Sequence, residues 1–158
     1  MTKEQNFDVS LDNFYNFLLA MLENYNKLIP VLQQELQCIL LGDIALLGEN
    51  LKSQQVLLIQ TRDFDKQVSE HSCALNIYAN NLTEMTLQLP EEHQPRFFSL
   101  LDDFDKTFEE VNFYKEKCRV LLQSKLYVIN KTLSRQEDQK ESTTYNKNAC
   151  VTINGLRG

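Results

Sequence analysis

Apolar residues step along the first quarter of the chain in alternating fours and threes: Leu11, Tyr15, Leu18, Leu22, Tyr25, Ile29, Leu32, Leu36 and Ile39. A repeat of that period is the seam of a coiled-coil-like helix of about 45 Å. Asp8 or Ser10 can cap its start. Pro30 removes one backbone hydrogen bond and crowds the carbonyl four residues earlier, which predicts a kink or a short break near residues 27–29. Phe14, Phe17, Leu19 and Met21 widen the first half of the seam into a face broader than one partner helix covers, so a third helix or a partner must lie on it.

The next pattern begins almost at once. In Leu36-Gln37-Cys38-Ile39-Leu40-Leu41-Gly42-Asp43-Ile44 there is no real loop, only a residue suited to closing a helix, Gly42, and one suited to opening the next, Asp43. Leu41 and Leu47 are spaced for a hydrophobic staple across this corner. A connection so short makes the two helices antiparallel neighbours, and the rest of the chain packs on that pair.

A second helix is predicted from residue 44 to residue 82 or 85, with Leu47, Leu51, Leu58, Phe64, Val68, Leu75, Tyr78 and Leu82 inward. Gln54, Thr61 and Asp65 occupy seam positions in its middle, which predicts looser, partly wet packing. Pro90 and Pro95, with Glu91, Glu92 and His93 between them, mark a second turn. A third helix is predicted from Pro95 or Arg96 to about residue 133, carrying Phe97, Leu101, Phe104, Phe108, Val111, Cys118, Leu122, Ile129 and Leu133 on one face. Its acidic residues lie early and its basic residues late, as the helix dipole favours, and they read as a solvated face. From Ser134 the chain turns polar and predicts a flexible tail. The tail carries +1 against -7 for the rest, counting Lys and Arg against Asp and Glu. The predicted architecture is therefore all-α: an antiparallel bundle of three long coiled-coil-like helices, or four if the first breaks near Pro30, over residues 1–133, followed by a tail over residues 134–158.

Composition agrees and narrows the function. The chain has 158 residues, 42% of them hydrophobic, with only four Gly and three Pro, enough apolar material for one helical domain. A net charge of -6 disfavours nucleic acid, whose phosphates it would repel. Cys38, Cys73, Cys118 and Cys150 are far apart, with no Cys-x-x-Cys pair, and predict reduced thiols in a cytoplasmic protein. No secretory leader pattern and no apolar run of about 18 residues is visible, so a soluble protein without membrane insertion is expected.

Catalytic chemistry is not legible. His71 and His93 are the sole histidines, and no phosphate-binding glycine loop occurs. Glu70-His71-Ser72-Cys73 is the densest reactive cluster, but helix positions two apart diverge, so His71 and Cys73 do not converge on a metal. No cofactor, metal or enzymatic activity is expected. The residues alone define a helical interaction module; a self-associating coiled-coil scaffold, whose seams pair with another copy, fits them too.

A narrower resemblance exists. The corner Gly42-Asp43 followed by Leu51-Lys52-Ser53-Gln54-Gln55 and Leu57-Leu58, the link Leu89-Pro90-Glu91-Glu92, the stretch Ser124-Lys125-Leu126-Tyr127-Val128-Ile129-Asn130-Lys131-Thr132-Leu133 and the tail motif Thr143-Thr144-Tyr145 resemble, in this order, the FlgN family of flagellar export chaperones. The resemblance implies a cytoplasmic, non-enzymatic chaperone of the flagellar type III secretion system. It would hold the hook-filament junction proteins by their C-terminal helical segments and bring them to the membrane protein of the export gate. Carried onto this chain, it implies a binding face of Leu122, Leu126, Ile129 and Leu133, and Tyr145 as the tail's anchor for the gate. The chain departs from the family at Ala149, where a glycine is often found four residues after the tail tyrosine.

Overall fold

The computed structural model describes the backbone of residues 2–157 and the side chains of residues 2–141. Five helices follow one another: α1 (Lys3–Leu41), α2 (Ile44–Thr61), α3 (Phe64–Ala74), α4 (Leu82–Leu87) and α5 (Gln94–Arg157). Among the described residues there is no strand, and the chain is the all-α bundle its periodicity predicts. It divides into two compact units, Met1–Cys118 and Arg119–Gly158, with α5 contributing to both.

The first helix starts earlier than Asp8 or Ser10. Thr2 caps it, its hydroxyl accepting from the Gln5 amide while the Gln5 side chain accepts from the Thr2 amide, a reciprocal capping box. It then runs through Pro30 without a break. Leu28 and Leu32, on either side of the proline, are buried, and the burial of two leucines, about 1.5–3 kcal/mol each, is comparable with the penalty of an interior proline, about 3 kcal/mol. The four-helix variant of the bundle that a break would give is not formed.

At the corner, Gly42 adopts the left-handed conformation with φ 69° and ψ 24°. Its amide donates to the Ile39 carbonyl at 3.3 Å and the Asp43 amide donates to that of Cys38 at 3.0 Å, the paired bonds of a Schellman motif. The Asp43 carboxylate then accepts from the Leu46 amide at 3.0 Å. Leu41 is 79% exposed and does not make the staple its spacing suggests.

The long second helix predicted from residue 44 is instead α2, α3 and a separate turn of helix, α4. Arg62 still has helical dihedrals, but the chain leaves helical geometry at Asp63, which makes no side-chain cap, and Phe64 enters a cluster of rings with Phe17, Tyr25 and Phe104. It stops again at Asn76, the one described non-glycine residue with positive φ, 56°. The Asn76 and Ile77 amides donate to the Cys73 and Ser72 carbonyls, repeating the hydrogen bonds of the Gly42 corner. Ser72 returns the contact by donating its hydroxyl to the Ile77 carbonyl. Asn81 caps α4 through the Glu84 amide at 2.8 Å. Leu75 faces inward as predicted, but Leu51, Leu58 and Tyr78 are exposed. On α2 the inward positions go to Leu57, packed on Leu28, Leu32 and Val111, and to Asn50.

Within the first unit α5 lies parallel to α1, as its cross-links show in register: Arg96 to Asp12 at 3.0 Å, Thr107 to Asn26 at 2.8 Å and Tyr114 to Gln33 at 2.9 Å. An up-down-up order places α5 on the broad face of α1, which answers what covers Phe14 and Met21. The main core joins Leu11, Phe14, Leu18 and Leu22 to Leu75, Met85, Phe97 and Phe104, and a smaller cluster joins Leu28 and Leu32 to Val111. The helix does not end at residue 133; helical backbone continues to Arg157. Residues 134–141 are exposed, and their Arg, Gln, Glu and Lys content favours helix without any burial.

Candidate functional site

Burial along α5 changes at one place. Phe97, Leu100, Phe104, Thr107, Val111 and Cys118 are buried at steps that add to the three-and-four pattern, with half-buried Tyr114 filling the gap. In the same sequence register, at steps of four, four, three and four after Cys118, come Leu122, Leu126, Ile129 and Leu133. These four residues are 42 to 53% exposed. The spacing of i, i+4, i+7 and i+11 sets them on one face of the helix. The second unit thus carries an apolar stripe of the four residues singled out in the sequence. Val120, Tyr127 and Val128 are exposed elsewhere on the same segment, with the Lys131 ammonium 5.5 Å from the Tyr127 ring centroid. Tyr145 lies outside the residues whose side chains are described.

Charge changes where burial does. Residues 1–116 hold eight Lys and Arg against nineteen Asp and Glu, whereas residues 117–135 hold five Lys and Arg and no carboxylate. The stripe is therefore the apolar face of a cationic helix in an otherwise acidic chain.

A second exposed apolar set lies on α2. Ile44, Leu51 and Leu58 recur every seven residues and are 82, 44 and 44% exposed, beside the buried side of the helix that Asn50 defines. The sequence placed Leu51 and Leu58 inward because leucine outranks asparagine as a seam residue. Asn50 wins the position by hydrogen bonding: its Nδ2 donates to the Val31 carbonyl and Gln34 Oε1 at 2.8 and 2.9 Å, and its Oδ1 accepts from Gln54 Nε2 at 2.8 Å. Gln54 also reaches Glu35 at 2.7 Å, so of the polar seam positions expected to be loose, Gln54 joins a connected network, whereas the Thr61 hydroxyl bonds back to the Leu57 and Leu58 carbonyls of its own helix.

The reactive side chains do not assemble. His71 is stacked on Phe17 and tilted against Phe14, with ring centroids 4.9 and 5.3 Å away, and burial among those rings lowers its pKa, with Glu70 opposing. Cys73 points to solvent. Cys118 is buried against α1 with its thiol 3.7 Å from the Leu32 carbonyl, and burial, then the nearby Glu35 carboxylate, push its pKa up to about 11. It is a packed neutral thiol. A half-open cavity of about 800 Å³ between α3 and α4 is lined by Phe64, Val68, Ile77, Leu82 and Met85, with Asp65, Cys73 and Glu84 but neither histidine. Among the described residues no three His, Cys, Asp or Glu side chains could share a metal, and no helix is long and apolar enough to cross a membrane.

The chain is a helical protein with an exposed apolar face on α5 and its reactive side chains dispersed along the helices. The chain matches the FlgN protein family over residues 1–151, nearly its whole length, and belongs to that family of flagellar export chaperones. No individual curated protein and no solved structure matches it significantly.

Proposed function

We propose that this chain is a cytoplasmic, non-enzymatic chaperone that binds the C-terminal helical segments of the hook-filament junction proteins, keeps them from assembling early and delivers them to the export gate. The observation that supports this most directly is the exposed stripe of Leu122, Leu126, Ile129 and Leu133 in a member of the FlgN family. A filament subunit's terminal helices expose an apolar stripe until they assemble, and a second stripe laid against it covers both. Release follows readily, because ordering the substrate offsets much of the contact energy. Residues 1–133 form the binding domain in this reading, and residues 134–158 form a tail whose Tyr145 anchors to the membrane protein of the gate.

The test is Leu126→Ala with Ile129→Ala. Each side chain is about half exposed, so covering it contributes about 1 kcal/mol and losing both weakens binding by about 10-fold to 30-fold. Calorimetry with the C-terminal segment of each junction protein reads the loss, and circular dichroism should show unchanged helicity. Unaltered affinity would sink the assignment, and a collapse of helicity would make the stripe core. The α2 set of Ile44, Leu51 and Leu58 favours a second reading, a scaffold that pairs with its own copy. Light scattering separates the two: the chaperone gives a complex with the junction segment, the scaffold a concentration-dependent oligomer with no affinity for it.

A further inference from the structure

We infer that the helix taken up by the stripe of residues 122–133 is acidic, an amphipathic helix whose apolar residues are bordered by Asp and Glu. The inference rests on the chaperone reading above and specifies the chemistry of its substrate. Lys117, Arg119, Lys125, Lys131 and Arg135 fall within nineteen residues that contain no carboxylate, while residues 1–116 hold eight cationic and nineteen acidic residues. Cationic charge is thus gathered on the segment that carries the exposed stripe. At about 100° per residue, Arg119 and Lys125 stand about 60° to either side of Leu122. From such flanking positions long side chains reach across a two-helix seam while their methylene stems cover its edge. Arg119 meanwhile holds Gln123 Oε1 at 3.0 Å along its own helix.

The sign of this charge selects both partner and place. An acidic helix is attracted to residues 117–135 and repelled by the carboxylates of the first unit, so it is steered to the stripe; a basic helix is steered away from it. Anionic lipid would share the attraction. An interfacial helix, however, separates one apolar face from one charged face, whereas here Val120 and Tyr127 are exposed away from the stripe, at 47 and 62%. A narrow apolar stripe bordered by two cations suits a helix better than a bilayer.

The experiment uses the full chain and three synthetic helical peptides with the same leucine stripe, bordered by Glu, Gln or Lys, with binding read by fluorescence anisotropy. The Glu peptide should bind about tenfold tighter than the Gln peptide and the Lys peptide most weakly, with the spread closing between about 0.05 and about 0.5 M salt. Arg119→Glu with Lys125→Glu should invert the order, and Arg119→Gln with Lys125→Gln should flatten it, both at unchanged helicity. Equal affinity for the three peptides, or an order that neither variant alters, overturns the inference. So does binding to phosphatidylglycerol vesicles that the Glu variant abolishes while the peptides fail to discriminate. Junction-protein segments assayed alongside keep the two readings apart: salt-insensitive capture of a segment removes only the charge inference, whereas no capture of either segment removes the chaperone reading beneath it.

Discussion

Replacing Asn50 tests whether the α1–α2 hairpin is held by polar links as the structure describes. Its side chain is 2% exposed and makes three hydrogen bonds: to the Val31 carbonyl, to Gln34 Oε1 and from Gln54 Nε2. A net hydrogen bond is worth about 0.5–1.5 kcal/mol, but the three do not count equally. Gln34 is exposed and Gln54 keeps its bond to Glu35, so both recover partners when Asn50 is removed. What Asn50→Ala loses outright is the bond to Val31 and the packing of the side chain, about 2 kcal/mol together, or a drop in Tm of about 4–8 °C. Asn50→Leu fills the volume and adds apolar burial, so it should fall within about 1 kcal/mol of the parent. Urea unfolding followed by far-UV circular dichroism gives both values. An alanine variant within about 0.5 kcal/mol of the parent would refute the reasoning, because a buried network that can be removed without loss joins nothing. A leucine variant as damaged as the alanine one would show that the site requires polarity and not merely filled space.

Further outcomes follow from single positions. Gly42→Ala should cost about 1 kcal/mol, since φ 69° strains any side chain, while Gly48→Ala, inside α2 with nothing within 4 Å of the added methyl, should gain about 0.5–1 kcal/mol; paired urea titrations read both. His71 has its pKa lowered from 6.5, so the unfolded chain binds the proton more readily and stability, complete above pH 6.5, should decline as pH falls from there toward the folded pKa; His71→Phe should flatten that part of the profile in pH-stepped thermal melts. Under native conditions at mild alkaline pH, Cys73 should be alkylated well before Cys38 and Cys118, which are buried, the last with a pKa of about 11; peptide mapping by mass spectrometry reads the order, and prompt labelling of Cys118 would contradict its place in the core.

The bundle was legible where one rule acted alone. The seam of α1 and the Gly42-Asp43 corner follow from period and cap chemistry, and both are present. Sequence reasoning failed where two rules competed. Asn76 closes α3 as Gly42 closes α1, but an asparagine inside a periodic stretch reads as a helix residue, and the signal that it can adopt positive φ was outweighed by the leucines around it. Asn50 displaced leucines from the seam because two of its three bonds, to Val31 and Gln34, lie on the facing helix, which no local pattern reveals. α5 outruns the apolar pattern that ends at Leu133 because Arg, Gln, Glu and Lys favour helix without burial. Leu122, Leu126, Ile129 and Leu133 could be placed on one face from spacing, but only their exposure separates them from core, and exposure depends on where neighbouring helices run.

Two independent properties change together near Cys118, and under the proposed function that coincidence divides the residues that fold the chain from those that bind. The apolar face of α5 is buried as far as Cys118 and half exposed from Leu122, while charge turns from strongly acidic before residue 117 to wholly cationic over residues 117–135. If residues 122–133 existed to complete the fold, their leucines would be covered; and because α5 runs on to Arg157, residues 117–135 are not its last turn, so the helix dipole does not account for the loss of acidic residues there. A surface for a partner requires both, an apolar stripe to bury and a field that differs from the rest of the molecule. Substitutions should therefore sort by position. Those at Asn50, Gly42 or His71 act on stability and leave the affinity of the folded chain intact, whereas those at Leu126, Ile129, Arg119 or Lys125 act on affinity and leave the melting curve intact. A stripe variant that lowered both equally would show that α5 is one structural element with no division of labour along it.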